Sequence, residues 1–110
     1  MKHAPPSPRV YDAFARRYPE IGRAWALLEE AGRQGPLDPP TVALVRLAVA
    51  VGAQKERAVR ADVRRALAAG VPPAEIEQVV AVAARMLGRT GTVAVFSWVR
   101  AELDRASGTT

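Results

Sequence analysis

The chain has 110 residues, close to the commonest size of a single domain. It has no cysteine and one histidine, His3, which excludes disulfides, thiolate catalysis and thiolate metal sites, so we expect neither a cofactor nor a metal. The formal net charge is +5, from fourteen arginines and two lysines against eleven carboxylates, which permits an anionic partner without requiring one.

Two kinds of targeting segment are absent from the sequence pattern. The first eight residues carry no apolar run that would suit a secretory signal. No stretch reaches the roughly 20 apolar residues that a membrane span needs. We therefore predict a soluble cytoplasmic protein with no membrane partner.

The first third of the chain predicts a flexible arm and two short helices. Residues 1–8 are rich in proline and form the arm. A helical stripe of Val10, Phe14 and Tyr18 follows, and Pro19 then begins a second helix that ends near Gly32.

Asp38 and Pro39 give a strong start signal for a third helix, because Asp caps free N–H groups and Pro suits the first helical position. This helix is predicted from about Pro39 to Val51. It is apolar around nearly its whole circumference, which predicts a central helix with little exposed surface and a partner subunit that completes its burial. Gly52 is expected to end it.

Three more helices complete an all-α domain of about six helices over residues 9–106, followed by a flexible tail at 107–110. The fourth runs from about Gln54 to Ala69 before Gly70, the fifth from Pro72 to Gly88, and the last to the tail. Their predicted inward residues are Val59, Val63, Ala66 and Leu67, then Ile76, Val79, Val80, Ala83 and Leu87, then Val95, Phe96, Val99 and Leu103, with Trp98 on a flanking face.

Two segments at a particular spacing resemble a known family. Gly-Pro-Leu-Asp-Pro at 35–39 precedes the third helix, and Asp-Val-Arg-Arg-Ala-Leu-Ala-Ala-Gly-Val at 62–71 closes the fourth. Together they resemble the carboxymuconolactone decarboxylase and alkylhydroperoxidase-D-like family over residues 35–103. The resemblance implies a helical fold and a homo-oligomer, commonly a trimer or a hexamer, with a site near the start of the fourth helix that faces a neighbouring subunit.

The reactive residues of the family's peroxidase branch are replaced in this chain. That branch places two cysteines, and a histidine four residues after the second, on the fourth helix, where the helix dipole stabilises a thiolate. The matching positions here hold Lys55, Ala58 and Asp62, and the position of the family's upstream helical glutamate falls near Ala43, so none of the four reactive residues is kept. Dithiol peroxidase activity is therefore excluded by residue type.

The resemblance also raises an acid–base enzyme without thiols as an alternative. The decarboxylase branch acts on a small lactone that bears a carboxylate, and the chemistry needs a cation to orient that carboxylate and an acid to protonate the product. Lys55 and Asp62 are the candidate catalytic residues, and Asp62 serves as the acid only if burial raises its pKa. Whether the chain is an enzyme is left open by the sequence.

Four arginines are candidate ligand-binding residues. Arg57, Arg60 and Arg64 share one face of the fourth helix and suit a small anionic ligand, and Arg89 follows the glycine that ends the fifth helix. The simpler interpretation is a solvated or intersubunit face, since Glu56 and Arg60 have the spacing of an ordinary helix pair. The leading hypothesis is accordingly an oligomeric small-molecule-binding or scaffold protein.

A nucleic-acid binder is the third hypothesis. The third and fourth helices imitate a helix-turn-helix whose second helix offers Gln54, Lys55, Arg57 and Arg60 to a groove. Glu56 and Asp62 would repel phosphate, and a three-helix reader needs no long apolar fifth and sixth helices. The sequence therefore argues against nucleic acid as a partner.

Overall fold

The computed structural model describes residues 8–108, and these residues form helices and no strand. They divide into two compact units, one within residues 8–36 and the other within 37–108. The helices are α1 (Pro8–Arg17), α2 (Pro19–Arg33), α3 (Pro39–Ala53), α4 (Glu56–Ala68) and α5 (Pro73–Ala106). His3 and most of the predicted arm and tail lie outside the described residues, so those boundaries stay predictions.

The first unit is a pair of helices, α1 and α2, that approach each other through small side chains. A Cβ added to Gly22 would lie only 3.1 Å from the Cβ of Ala15, so the contact depends on the missing side chain of this glycine. The large apolar side chains of the two helices lie outside this contact, and no residue of α2 is buried. Burial of apolar groups within this unit therefore contributes little to its stability.

The second unit contains the hydrophobic core, to which α3, α4 and α5 all contribute. The fully buried side chains at its centre include Leu47 from α3, Val63 from α4 and Ile76 from α5. Asp38 starts α3 as predicted, because its Oδ1 accepts a hydrogen bond of 2.9 Å from the Thr41 N–H. Gly70, with a φ of 88°, follows α4 in the left-handed conformation that glycine favours.

Helix α5 reverses direction at Gly88, where φ is 74° and ψ is 174°. Arg100 Nη1 lies 2.8 Å from Glu77 Oε2. In a straight helix these residues would be about 35 Å apart, because each residue advances the helix by roughly 1.5 Å. The halves 73–87 and 89–106 are therefore two helices packed side by side, which confirms the all-α prediction and matches its count of about six.

By length and composition alone, α5 could cross a membrane. Its apolar stretch contains Gly88, however, and the chain turns back there. Each half is thus too short to offer an uninterrupted run of about 20 apolar residues. Both halves also supply core residues, Ile76 from the first and Val99 from the second.

The turn between α3 and α4 differs from the prediction. Helix α3 continues through Gly52 to Ala53, and Gln54 instead adopts the left-handed conformation, with a φ of 53°. The Gln54 side chain lies against α5, because a Cβ on Gly91 would come within 2.8 Å of its Oε1. Packing against α5 thus places the turn two residues later than the glycine signal predicts, and α4 begins at Glu56.

One prediction of burial was wrong. Phe96, predicted to face inward, is exposed, whereas Trp98, predicted on a flanking face, packs against the core. Helix α3 exposes Val45 and Val49, at 48% and 67%, so this chain alone does not enclose it, and its completion by a partner subunit stays a prediction. Positions 96 and 98 lie about 200° apart on a helix, so the turn at Gly88 decides which of them faces inward.

Candidate functional site

Helix α4 presents three faces with different roles. At about 100° per residue, Val59, Val63 and Ala66 form one face, which is buried in the core. Arg60 and Arg64 form a second face, directed toward α5. Ala58, Asp62 and Arg65 form the third, which borders an open cleft.

The cleft has a volume of about 430 Å³ and lies between α3 and α4. It brings together Lys55, Ala58 and Asp62, the three positions that the resemblance assigned to reactive residues. Helix α3 supplies the opposite wall, from Val45, Arg46, Val49, Ala50 and Ala53. The α3 wall is therefore mostly apolar, with Arg46 as its charged group, and the opposite wall carries Lys55, Asp62 and Arg65.

Lys55 is the N-cap residue of α4, and its side chain caps no N–H group. Within residues 8–108 its ammonium group has no ion-pair partner. The positive charge of a lysine is unfavourable at a helix N-terminus, because the helix dipole places partial positive charge there as well. A bound anion would offset both the ammonium charge and the partial charge of the helix end. Lys55 is therefore the cation of the cleft with the clearest capacity for a further anionic contact.

Asp62 is largely buried, with 8% of its surface exposed, and it is already paired. Arg65 Nη1 donates a hydrogen bond of 2.8 Å to its Oδ1. This charge-assisted hydrogen bond already engages one of the two oxygens of the Asp62 side chain. The geometry thus favours a structural or ligand-orienting role for Asp62 over proton donation.

Arg60 and Arg64 bind a carboxylate of the chain itself. Arg60 Nη1 donates to Glu102 Oε2 at 3.2 Å, and Arg64 Nη1 donates to Glu102 Oε1 at 3.0 Å. Arg105 approaches the same carboxylate at 3.5 Å. Glu102 is only 2% exposed. Because its partners Arg60 and Arg64 lie on α4, this ionic cluster joins α4 to the second half of α5 within the unit of residues 37–108.

The cluster keeps Glu102 ionised despite its burial. Burial raises the pKa of Glu102, but hydrogen bonds from Arg64 and Arg60 and the charges of Arg105 and Arg64 together outweigh it, so the pKa lies below its ordinary value. Sequence reasoning missed this residue. Its position three residues after Val99 and seven after Val95 puts it on the inward face, and that spacing was the available signal.

The other two predicted binding residues lie away from the cleft walls. Arg57 and Arg89 are exposed, and neither lines the cleft. Among the described residues, no group of three or more His, Cys, Asp or Glu side chains could hold a metal ion. Of the six predicted site residues, the structure brings only Lys55 and Asp62 together in the cleft.

Fold and cleft define a class: a cysteine-free, all-helical protein with an open, partly charged cleft at the start of its fourth helix. Residues 19–101 match the model of the carboxymuconolactone decarboxylase family, and the chain belongs to that family. This confirms the predicted resemblance. No curated protein and no solved structure matched the chain.

Proposed function

We propose that this protein is a non-redox member of its family that binds a small organic anion in the cleft between α3 and α4. The proposal depends on one observation: the cleft joins a largely apolar wall, where Val45 and Val49 lie beside Arg46, to a charged wall with Lys55. A ligand with a carboxylate and a short apolar body matches both walls. Dithiol peroxidase activity is excluded because the chain has no cysteine.

We further propose that the protein works in the cytoplasm as a homo-oligomer. The family resemblance implies trimers or hexamers. The exposure of Val45 and Val49 supports self-association, because a neighbouring subunit over the open side of the cleft would remove these side chains from water.

Benzoate and its neutral isostere benzamide are suitable probes, since they share an apolar ring and differ in charge. Titration of isotopically labelled protein with benzoate should shift the amide signals of Lys55, Ala58 and Asp62, and benzamide should bind more weakly. Lys55→Met should weaken benzoate binding by about fivefold, on the order of 1 kcal/mol for an exposed ion pair. Shifts spread over the whole surface, or equal binding of both probes, would contradict the proposal.

Arg89→Met is the matched control, because it removes an exposed cation that does not line the cleft. It should leave benzoate affinity unchanged. A loss as large as that of Lys55→Met would mean that the net charge of the protein, rather than the cleft, attracts the anion.

A second candidate function is an acid–base reaction, favoured by the presence of Lys55 and Asp62 in one cleft. The Arg65 ion pair with Asp62 counts against it. Turnover of a carboxylated lactone that disappears in Asp62→Asn would support the enzyme. Binding without turnover would leave the binding protein as the better description.

Nucleic-acid binding has less support than either. Arg60, which a helix-turn-helix would offer to a groove, is held by Glu56 at 2.9 Å and by Glu102. Both carboxylates offset the charge that phosphate contacts need. We therefore do not propose it.

A further inference from the structure

Asp62 has one carboxylate oxygen that no group within residues 8–108 uses. Its side chain is 11% exposed, and Arg65 donates a hydrogen bond to Oδ1 alone, which leaves Oδ2 without a donor from the described chain. No fully buried side-chain oxygen or nitrogen of those residues lacks a partner, so Oδ2 belongs to the small part of Asp62 that remains accessible. Asp62 lines the cleft between α3 and α4. The wall of the cleft therefore offers a hydrogen-bond acceptor that a ligand can reach.

Lys55 and Asp62 lie on the same wall at a distance that limits the size of a ligand between them. They are seven residues apart, so their Cα atoms are separated by about 10 Å along the axis of α4, at roughly 1.5 Å per residue. One hydrogen bond of about 2.8 Å to each side chain leaves roughly 5 Å for the ligand, about the width of a benzene ring. Ala58 lies between them, and the opposite wall is apolar at Val49. A short apolar body with a polar group at each end fits this space.

The two ends of the cleft require different polar groups. Lys55 donates hydrogen bonds and suits a carboxylate, whereas Oδ2 of Asp62 accepts them and requires a donor. A hydroxyl group and an ammonium group can both donate. Among the described residues, the lining of the cleft carries three cations, Lys55 and two arginines, against the single carboxylate of Asp62. An additional positive charge on the ligand would be repelled, so a neutral hydroxyl group is the better match.

From these observations we infer that the ligand of the cleft is a hydroxy acid, whose carboxylate binds Lys55 and whose hydroxyl group donates a hydrogen bond to Oδ2 of Asp62. The inference rests on the proposed function and names the class of organic anion. Asp62 determines specificity, because a ligand without a donor would leave its acceptor unpaired in the cleft wall. The hydrogen bond from Arg65 fixes the orientation of this carboxylate.

The pair 4-hydroxybenzoate and 4-methylbenzoate tests the inference through the sign of one difference. The two acids have nearly the same size, and at pH 7 the phenol is protonated because its pKa is about 10. In a cleft without an acceptor the methyl compound should bind more tightly, since its apolar group leaves water more readily. In titrations of isotopically labelled protein, 4-hydroxybenzoate should instead bind about fivefold more tightly, as one hydrogen bond to a charged acceptor predicts. Equal or tighter binding of 4-methylbenzoate at Lys55 would overturn the inference while the proposed function stands.

Asp62→Asn and Asp104→Asn form a matched pair of variants, because each removes one negative charge and only Asp62 lines the cleft. Asp62→Asn should reduce the fivefold preference to less than twofold, and Asp104→Asn should preserve it. The preference is a ratio of two affinities for the same folded protein, so a change in stability does not imitate its loss. An equal loss in both variants would overturn the inference.

Two further acids test the choice of a neutral donor. Terephthalate replaces the hydroxyl group with a carboxylate, and 4-(aminomethyl)benzoate replaces it with an ammonium group. Both should bind more weakly than 4-hydroxybenzoate, because neither offers a neutral donor to Asp62. Tighter binding of either one would overturn the inference in favour of a diacid or an amino acid. No binding of any of these acids would refute both the inference and the proposed function.

Discussion

The ionic cluster around Glu102 makes a quantitative prediction about stability. Three variants are compared by guanidinium unfolding at pH 7 and fixed protein concentration: Glu102→Gln, the double variant Arg60→Met with Arg64→Met, and the triple variant that adds Glu102→Met to this pair. The concentration is fixed because association shifts apparent stability. The carboxylate is 2% exposed, whereas the Arg60 and Arg64 side chains are 28% and 56% exposed.

This difference in exposure sets the order of the effects. Glu102→Gln should reduce the free energy of unfolding by about 1 to 2 kcal/mol, because two charge-assisted hydrogen bonds become neutral ones and the arginines remain partly hydrated. The double variant should lose more, about 3 kcal/mol, because it leaves the buried carboxylate with Arg105 as its one remaining partner in the cluster, at 3.5 Å. The triple variant should regain most of that loss, since no buried charge remains unpaired.

The same cluster fixes the sign of a pH effect. The pKa of Glu102 is lowered in the folded protein, so its contribution is fully present above the unfolded pKa of a glutamate, about 4.3, and declines as the pH falls through the folded value. The difference in unfolding free energy between the wild type and Glu102→Gln should therefore shrink below about pH 4. A triple variant less stable than the double one, or a difference that grows on acidification, would refute the reasoning.

Other substitutions test local features. Asp38→Ala should lower the melting temperature, because it removes the cap of α3. The hydrogen bond from Thr41 lowers the pKa of Asp38, so the difference in melting temperature between wild type and variant should be present at neutral pH and fade as the pH falls through that lowered pKa. An unchanged difference at pH 2 would contradict the cap. Gly52→Ala should raise the free energy of unfolding by about 0.5 to 1 kcal/mol, because Gly52 lies inside α3 with no atom within 4 Å of an added Cβ. Gly88→Ala should lower it by about 1 to 2 kcal/mol, because its φ is 74°; effects of the same sign at both glycines would contradict this interpretation of the two conformations.

The helices and much of the core could be predicted because apolar spacing reports directly on burial. The inward residues Val59, Val63 and Ala66 of α4 were identified correctly. The turn at Gln54 could not be, because it depends on room that Gly91 leaves on a distant helix. Local glycine signals do not contain that contact.

The candidate site was predictable only in part, for a related reason. Lys55, Ala58 and Asp62 share a face at spacings of three and four, so their common cleft follows from helix geometry. The partners of the arginines could not be predicted in the same way. A long side chain can reach several groups, and the tertiary structure determines which of them it contacts. Glu102, 38 residues after Arg64, determines that two of the predicted ligand-binding residues bind the chain itself.

The three faces of α4 explain how the cleft is held in shape. The buried face sets the depth of the helix, and the bonds of Arg60 and Arg64 to Glu102 oppose its rotation about its own axis. Neither constraint involves Lys55 or Ala58. The identity of the cleft residues can therefore change while the cleft itself remains, so the fold specifies where a ligand would bind and the side chains specify which chemistry is possible there.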